Sequence, residues 1–194
     1  MLVPADAPAL QHRPRLTLRL RVALRSTVYE LRGPTDQTPH GDLLGLVELR
    51  RRGPRGHLEA RVGASEEHGP VLFTAAPRRR LDLAPAWDVR DADGALLGFF
   101  RADLAASLLR ATYQVEGAGW VGRGRAAGAG SRGLVSVRPR AADVAVTTPE
   151  GAPLLRLERH LDPARRCTVD VPDPRVDLRV AAAFAVGLDT LLAR

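Results

Sequence analysis

A chain of 194 residues with 45% hydrophobic and 26% charged residues has the composition of an ordinary globular protein, long enough to bury one sizeable core. Its charge is not ordinary: the formal net charge is +7, and all 29 basic residues are arginine, because the chain contains no lysine. One cysteine, Cys167, excludes an internal disulfide and a cysteine metal cluster; the opening Met1 to Asp6 lacks the basic start and apolar core of a signal peptide, so the expected location is cytoplasmic.

Residues 1–14 show no periodicity and read as a flexible N-terminal tail; residues 15–194 read as a single domain. Leu16, Leu18, Leu20 and Val22 alternate with Thr17, Arg19 and Arg21, the period of a half-buried strand. Thr27 to Leu31 is a second strand candidate, and Leu43 to Arg50 a third after a turn-rich stretch. Val71 to Ala75 is a short strand ended by Pro77 and Arg78-Arg79-Arg80. Trp87 to Arg90 alternates, Asp91-Ala92-Asp93-Gly94 supplies turn residues, and Ala95 to Arg101 returns, which is a hairpin pattern. Leu104 to Leu109 fits a helical turn or a loop, and Ala111 to Glu116 another strand. The Gly-rich stretch from Gly117 to Gly133 reads as a loop. Further strands are expected at Leu134 to Arg138, Asp143 to Thr147, Leu154 to Arg159 and Arg166 to Val171.

The last stretch is a helix expected over about 174–193, with Asp173 as cap and Pro174 at the first helical position, where no amide donor is needed. From Val180 to Leu188 every residue is apolar or glycine, so Val180, Phe184, Val186, Leu188 and Leu191 belong to a core helix that something must enclose. It is too short to span a bilayer and lacks the charged face of a membrane-surface helix. Three hairpins share a turn glycine (Gly41, Gly94, Gly151) followed by Leu-Leu. Such repetition fits a closed or rolled antiparallel sheet wrapped around the helix: a mainly β fold with one buried helix.

Chemical motifs are sparse. Gly117-Ala118-Gly119-Trp120-Val121-Gly122 satisfies G-x-G-x-x-G, but the Gly-rich continuation is unfit for the helix that a dinucleotide site requires. Ala129 to Gly133 lacks the first glycine of a nucleophile elbow. His12, His40, His57, His68 and His160 show no metal-ligand spacing, and Asp91 and Asp93 fit a turn better than an acid/base pair. Asp170, Asp173 and Asp177 do not fit the ligand spacing of a calcium loop. No catalytic residue, metal site or cofactor is therefore assigned. The anion-binding candidates are Arg50, Arg51 and Arg52, Arg78, Arg79 and Arg80, and Arg123 and Arg125.

The run Val71 to Ala75 through Trp87-Asp88-Val89-Arg90-Asp91-Ala92-Asp93-Gly94-Ala95-Leu96-Leu97-Gly98 resembles the "strand, V-x-D-x-x-G, L-G" core of the LURP-one-related and phospholipid-scramblase-like proteins of the tubby C-terminal-like superfamily. Asp173 to Leu192 resembles the hydrophobic C-terminal helix of that superfamily, so the resemblance covers Leu16 to Leu192. It implies a barrel of about 12 strands threaded by the helix. The palmitoylated cysteines of animal scramblases have no counterpart here, and no phosphoinositide-gripping position of tubby domains is carried over. The expected function is a non-enzymatic ligand- or partner-binding barrel that associates with anionic phospholipid surfaces through its Arg clusters, peripheral to the membrane. One alternative is a scramblase-like phospholipid-translocating protein. Another is a basic nucleic-acid-binding domain, disfavoured because 4% aromatics leave few stacking platforms.

Overall fold

A computed structural model describes residues 14–22, 27–34, 41–52, 55–62, 69–78, 86–103, 112–127, 143–160 and 166–192. The first six strands are β1 (Arg15–Val22), β2 (Thr27–Gly33), β3 (Asp42–Arg52), β4 (Arg55–Val62), β5 (Val71–Pro77) and β6 (Trp87–Asp91). The second six are β7 (Leu96–Asp103), β8 (Thr112–Gly117), β9 (Trp120–Ala127), β10 (Asp143–Thr147), β11 (Pro153–Arg159) and β12 (Arg166–Asp170). Among the described residues one helix, α1 (Leu178–Leu192), follows. Each strand pairs antiparallel with its neighbours in the chain, and β1 pairs with β12, so the sheet closes on itself and leaves no edge.

Alternation decides which side of the wall faces in. Leu16 and Leu18 are buried on the inner face of β1 while Arg19 and Arg21 are exposed. Similarly Val144 and Val146 of β10 face the lumen and Ala145 faces water.

Helix α1 fills that lumen. Val180 to Leu188 are all buried, and steps of 100° per residue carry those nine positions around the whole helix circumference. The helix also touches β12 and β1 on one arc of the barrel and β5, β6 and β7 on the opposite arc. Only a helix inside the cylinder does both. Ala181, Ala182, Ala183, Ala185 and Gly187 keep it slim; a Cβ on Gly187 would stand 2.5 Å from the Phe100 ring. Phe184 is its main anchor, with ring centroids 5.6 Å from Phe100 and 5.7 Å from Tyr113, and Trp87 stacks on Phe100 at 6.0 Å.

The helix starts one turn later than the sequence suggests. Asp173 closes a separate corner, its carbonyl accepting from Val176 N–H at 3.1 Å and its carboxylate from Arg175 N–H at 2.9 Å. The true cap is Asp177, whose Oδ1 accepts the Arg179 N–H at 2.8 Å and whose carbonyl accepts from Val180 and Ala181. The corner is needed to turn the chain from the wall of the barrel into its interior.

Two strands depart from expectation. β4 was hidden because Gly56, Ala60 and two arginines blur its alternation. β9 occupies part of the stretch read as a Gly-rich loop; its Gly122 and Gly124 face inward, where a Cβ on Gly122 would meet Val146 Cγ1 at 2.5 Å. The expected segments at residues 1–13, Leu104 to Leu109 and Leu134 to Arg138 lie outside the described residues.

All connections that leave β2, β4, β6, β8 and β10, and the entry into α1, lie at one end of the barrel, called here the entry end; the others lie at the far end. The glycines Gly41, Gly94 and Gly151, with φ of 72°, 86° and 91°, all sit at the entry end, where left-handed backbone is required. Three entry-end hairpins share a further device. An acid two residues before an arginine pairs with it in β2 (Glu30, Arg32), β4 (Glu59, Arg61) and β6 (Asp88, Arg90). In each case the register shifts at the arginine, and its Nη1 donates to the carbonyl of the next loop: Gly41 at 3.0 Å, Gly69 at 2.9 Å and Gly94 at 3.0 Å.

Truncating the helix anchor should be costly. Phe184→Ala is expected to lower stability by about 3–5 kcal/mol, read as a fall in the urea midpoint, whereas Arg123→Ala on the outer wall stays within about 0.5 kcal/mol. An unchanged midpoint for Phe184→Ala would mean that the helix is not part of the core.

Candidate anion-binding end of the barrel

Because strands alternate direction, loops alternate ends, and this sorts the charges. Among the described residues, the strand connections at the entry end contribute Asp93 and Glu150 and no arginine, and those at the far end contribute Arg78 and His160.

The anion-binding candidates follow this division. Arg50, Arg51 and Arg52 end β3 at the far end, in register with His57, Gly56 and Arg55 of β4; their side chains lie outside the described residues. Arg78 follows β5 at the same end. It is engaged locally: its Nε donates to Asp88 Oδ1 at 2.7 Å, and its guanidinium lies 4.4 Å over the Phe99 ring. Arg79 and Arg80 lie outside the described residues. Arg125 is exposed at the far end of β9, and Arg123 is exposed on the wall two residues nearer the middle. By strand position Arg50, Arg51, Arg52, Arg78 and Arg125 therefore stand at one end, and Arg123 does not.

Sequence reasoning missed Arg21 and Arg101, which are exposed at the far ends of β1 and β7. Arg101 donates to Gln114 Oε1 at 2.9 and 2.6 Å, a neutral partner. Isolated arginines carry no motif; only the strand direction shows that they share an end.

At the entry end, by contrast, arginines are held by carboxylates. Arg15 pairs with Asp170, Arg175 with Asp173 at 2.6 Å, and the buried Arg179 with Asp177 at 2.7 Å, besides the three pairs on β2, β4 and β6. Asp170, Asp173 and Asp177 thus each hold an arginine, which accounts for them without calcium. Hydrogen bonding to Arg175 holds the Asp173 carboxyl below its usual range, and a bond from Thr148 does the same for Glu150. Asp91 caps its own turn, accepting from Asp93 N–H at 3.0 Å and Ala95 N–H at 2.8 Å.

The remaining chemistry candidates resolve structurally. The G-x-G-x-x-G run is a hairpin: Ala118 and Gly119 turn β8 into β9, so a strand stands where a dinucleotide site needs a helix. Among the described residues no group of His, Cys, Asp and Glu is placed to hold a metal ion. Cys167 lines the lumen opposite Leu18, and burial pushes its thiol up to about 11, with Arg159 pulling only partly back. A thiol so protonated is a poor nucleophile at neutral pH.

No family model matches the chain, and no curated protein matches it. Among solved structures, a porin-like protein from Bacteroides uniformis ATCC 8492 is similar at 8% identity, covering 81% of this chain and 96% of that one, with a TM-score of 0.30. At that score the likeness says nothing about fold or function. Among the described residues no helix is long and apolar enough to cross a membrane. A membrane-spanning barrel turns an apolar band outward. Here the large apolar residues exposed among the described ones are Leu96 and Val121, while Arg19, Arg21, Arg101, Arg123, Arg125 and Arg156 face out.

Burial raises the phenol of Tyr113 as well as the thiol of Cys167. In the unfolded chain these groups ionise near 10.0 and 9.0, and in the fold they hold their protons longer. The Cys167 contribution is complete below about pH 9 and is lost as pH climbs through about 11, and that of Tyr113 is lost above its ordinary range, so stability should decline across that window. Cys167→Ala should flatten the early part of the decline, by on the order of 1–2 kcal/mol, in urea unfolding at a series of pH values. The same slope in wild type and variant would contradict this.

Proposed function

We propose that this chain is a non-enzymatic barrel domain that binds anionic phospholipid surfaces through its arginine-rich far end, as a peripheral protein of an anionic leaflet such as the cytoplasmic one. The observation that supports the reading is that Arg21, Arg101 and Arg125, exposed and without a carboxylate partner among the described residues, stand at the same end as the Arg50-Arg51-Arg52 strand end. Guanidinium forks match phosphate oxygens in a bidentate geometry, and each arginine close to an anionic surface contributes about 1 kcal/mol. Several arginines presented together reach useful affinity without a deep pocket.

The motif order from Val71 to Gly98, with the enclosed terminal helix, supports membership of the LURP-one-related and scramblase-like group. The aromatic side chains Tyr29, Phe73, Trp87, Phe100, Tyr113, Trp120 and Phe184 are buried in the core, and the half-buried Phe99 ring is covered by Arg78, which weighs against stacking on nucleic-acid bases.

Vesicle flotation tests the proposal. The protein is expected to float with vesicles containing phosphatidylserine, not with phosphatidylcholine alone, and to be released by high salt. Replacing Arg50, Arg51 and Arg52 together by Ala should weaken binding by about 100-fold, the equivalent of about 3 kcal/mol. Equal recovery with neutral and anionic vesicles would overturn it.

A further inference from the structure

We infer that the barrel stands upright on an anionic surface, far end down and α1 along the membrane normal, rather than lying on its wall. This rests on the binding reading above and adds the geometry of the contact.

Three features of the fold set that orientation. First, the exposed arginines without a carboxylate partner at the far end, Arg21, Arg101 and Arg125, come from β1, β7 and β9, so they surround the rim instead of lining one side. Arg50, Arg51 and Arg52 extend the same rim through the β3–β4 hairpin by strand position. A ring of charge favours end-on contact, because lying down would lift part of the ring off the surface.

Second, the entry end is repelled. Its arginines are bound to carboxylates, while Asp93 and Glu150 project from exposed turns, and among the described residues no arginine stands in its strand connections. Third, the two ends act independently. The 15 residues of α1 measure about 22 Å at 1.5 Å per residue, more than twice the screening length of about 8 Å at physiological salt. Entry-end acids therefore cannot cancel far-end arginines at the surface. The wall between them is mixed: Arg156 lies 4.0 Å from Asp143, and Glu116 accepts a bond from Gln114 beside Arg123. That makes a side-on pose weaker than an end-on one.

Single-cysteine proteins in a Cys167→Ala background, each labelled with an environment-sensitive fluorophore, separate the poses. Ala118→Cys reports the entry end, Ala145→Cys the outer wall between Arg125 and Arg156, and His160→Cys the far end. Circular dichroism confirms that each variant is folded, and Ala92→Cys serves as a second entry-end probe should Ala118→Cys fail to fold. With phosphatidylserine vesicles bound, the label at 160 is expected to shift to the blue and be quenched by brominated lipid, while labels at 118 and 145 stay unchanged. A shift at 145 or 118 comparable to that at 160, with flotation intact, would overturn the upright pose and leave lipid binding standing. Loss of flotation on anionic vesicles for every labelled protein and for wild type would overturn both.

Discussion

A helix without a polar face survives in water only when its whole circumference is covered, and α1 is such a helix. A single flat sheet would cover one side. Twelve strands closed into a cylinder cover all of it, and the same closure removes the sheet edges that would otherwise invite pairing with another chain. The two requirements meet in the side chains: the wall supplies large residues such as Phe73, Phe100 and Tyr113, and the helix replies with alanines, Gly187 and one large anchor, Phe184. The interior is consequently packed by the chain itself, which shifts any binding role to the outside.

On the outside, the meander does the sorting. With every strand antiparallel to the last, alternate strand connections face opposite ends, and among the described residues the exposed Arg21, Arg101 and Arg125 fall toward one end and Asp93 and Glu150 at the other. The entry end is tied down by acid-x-arginine pairs whose guanidinium also holds the following loop, as in Arg32 to Gly41 and Arg61 to Gly69. Arginine therefore serves two purposes in this chain. Those at the entry end fix loops; at the far end Arg78 is held by Asp88, while Arg21, Arg101 and Arg125 have no carboxylate partner among the described residues.

Much of the fold was legible because its signals are local. Period-two alternation marks β1, the Asp-Gly turn marks the β6–β7 hairpin, and the uninterrupted apolar run marks α1. β9 was not, because inward glycines at 122 and 124 look like loop residues until Val144, Val146 and Leu154 are seen filling their space. The helix start was misplaced because two Asp-x-Arg units follow each other, and either aspartate satisfies the rule for a cap; only the corner shows which one does. The basic end was half legible. The arginine triplets and Arg123 with Arg125 stand out by themselves, whereas Arg21 and Arg101 gain meaning only from strand direction. The matching pairs Glu30 and Arg32, Glu59 and Arg61, Asp88 and Arg90 were present in the sequence at equal intervals and were the one available signal of the entry-end clamps.

Native-state amide hydrogen exchange tests the enclosed helix most directly. Residues 180–188 are expected to exchange only through global unfolding, as slowly as the amides of β1 and β12 that close the wall. Exchange of those helix amides at the rate of the exposed turns at 92–95 and 148–152 would show that α1 lies outside the cylinder, and would contradict the account.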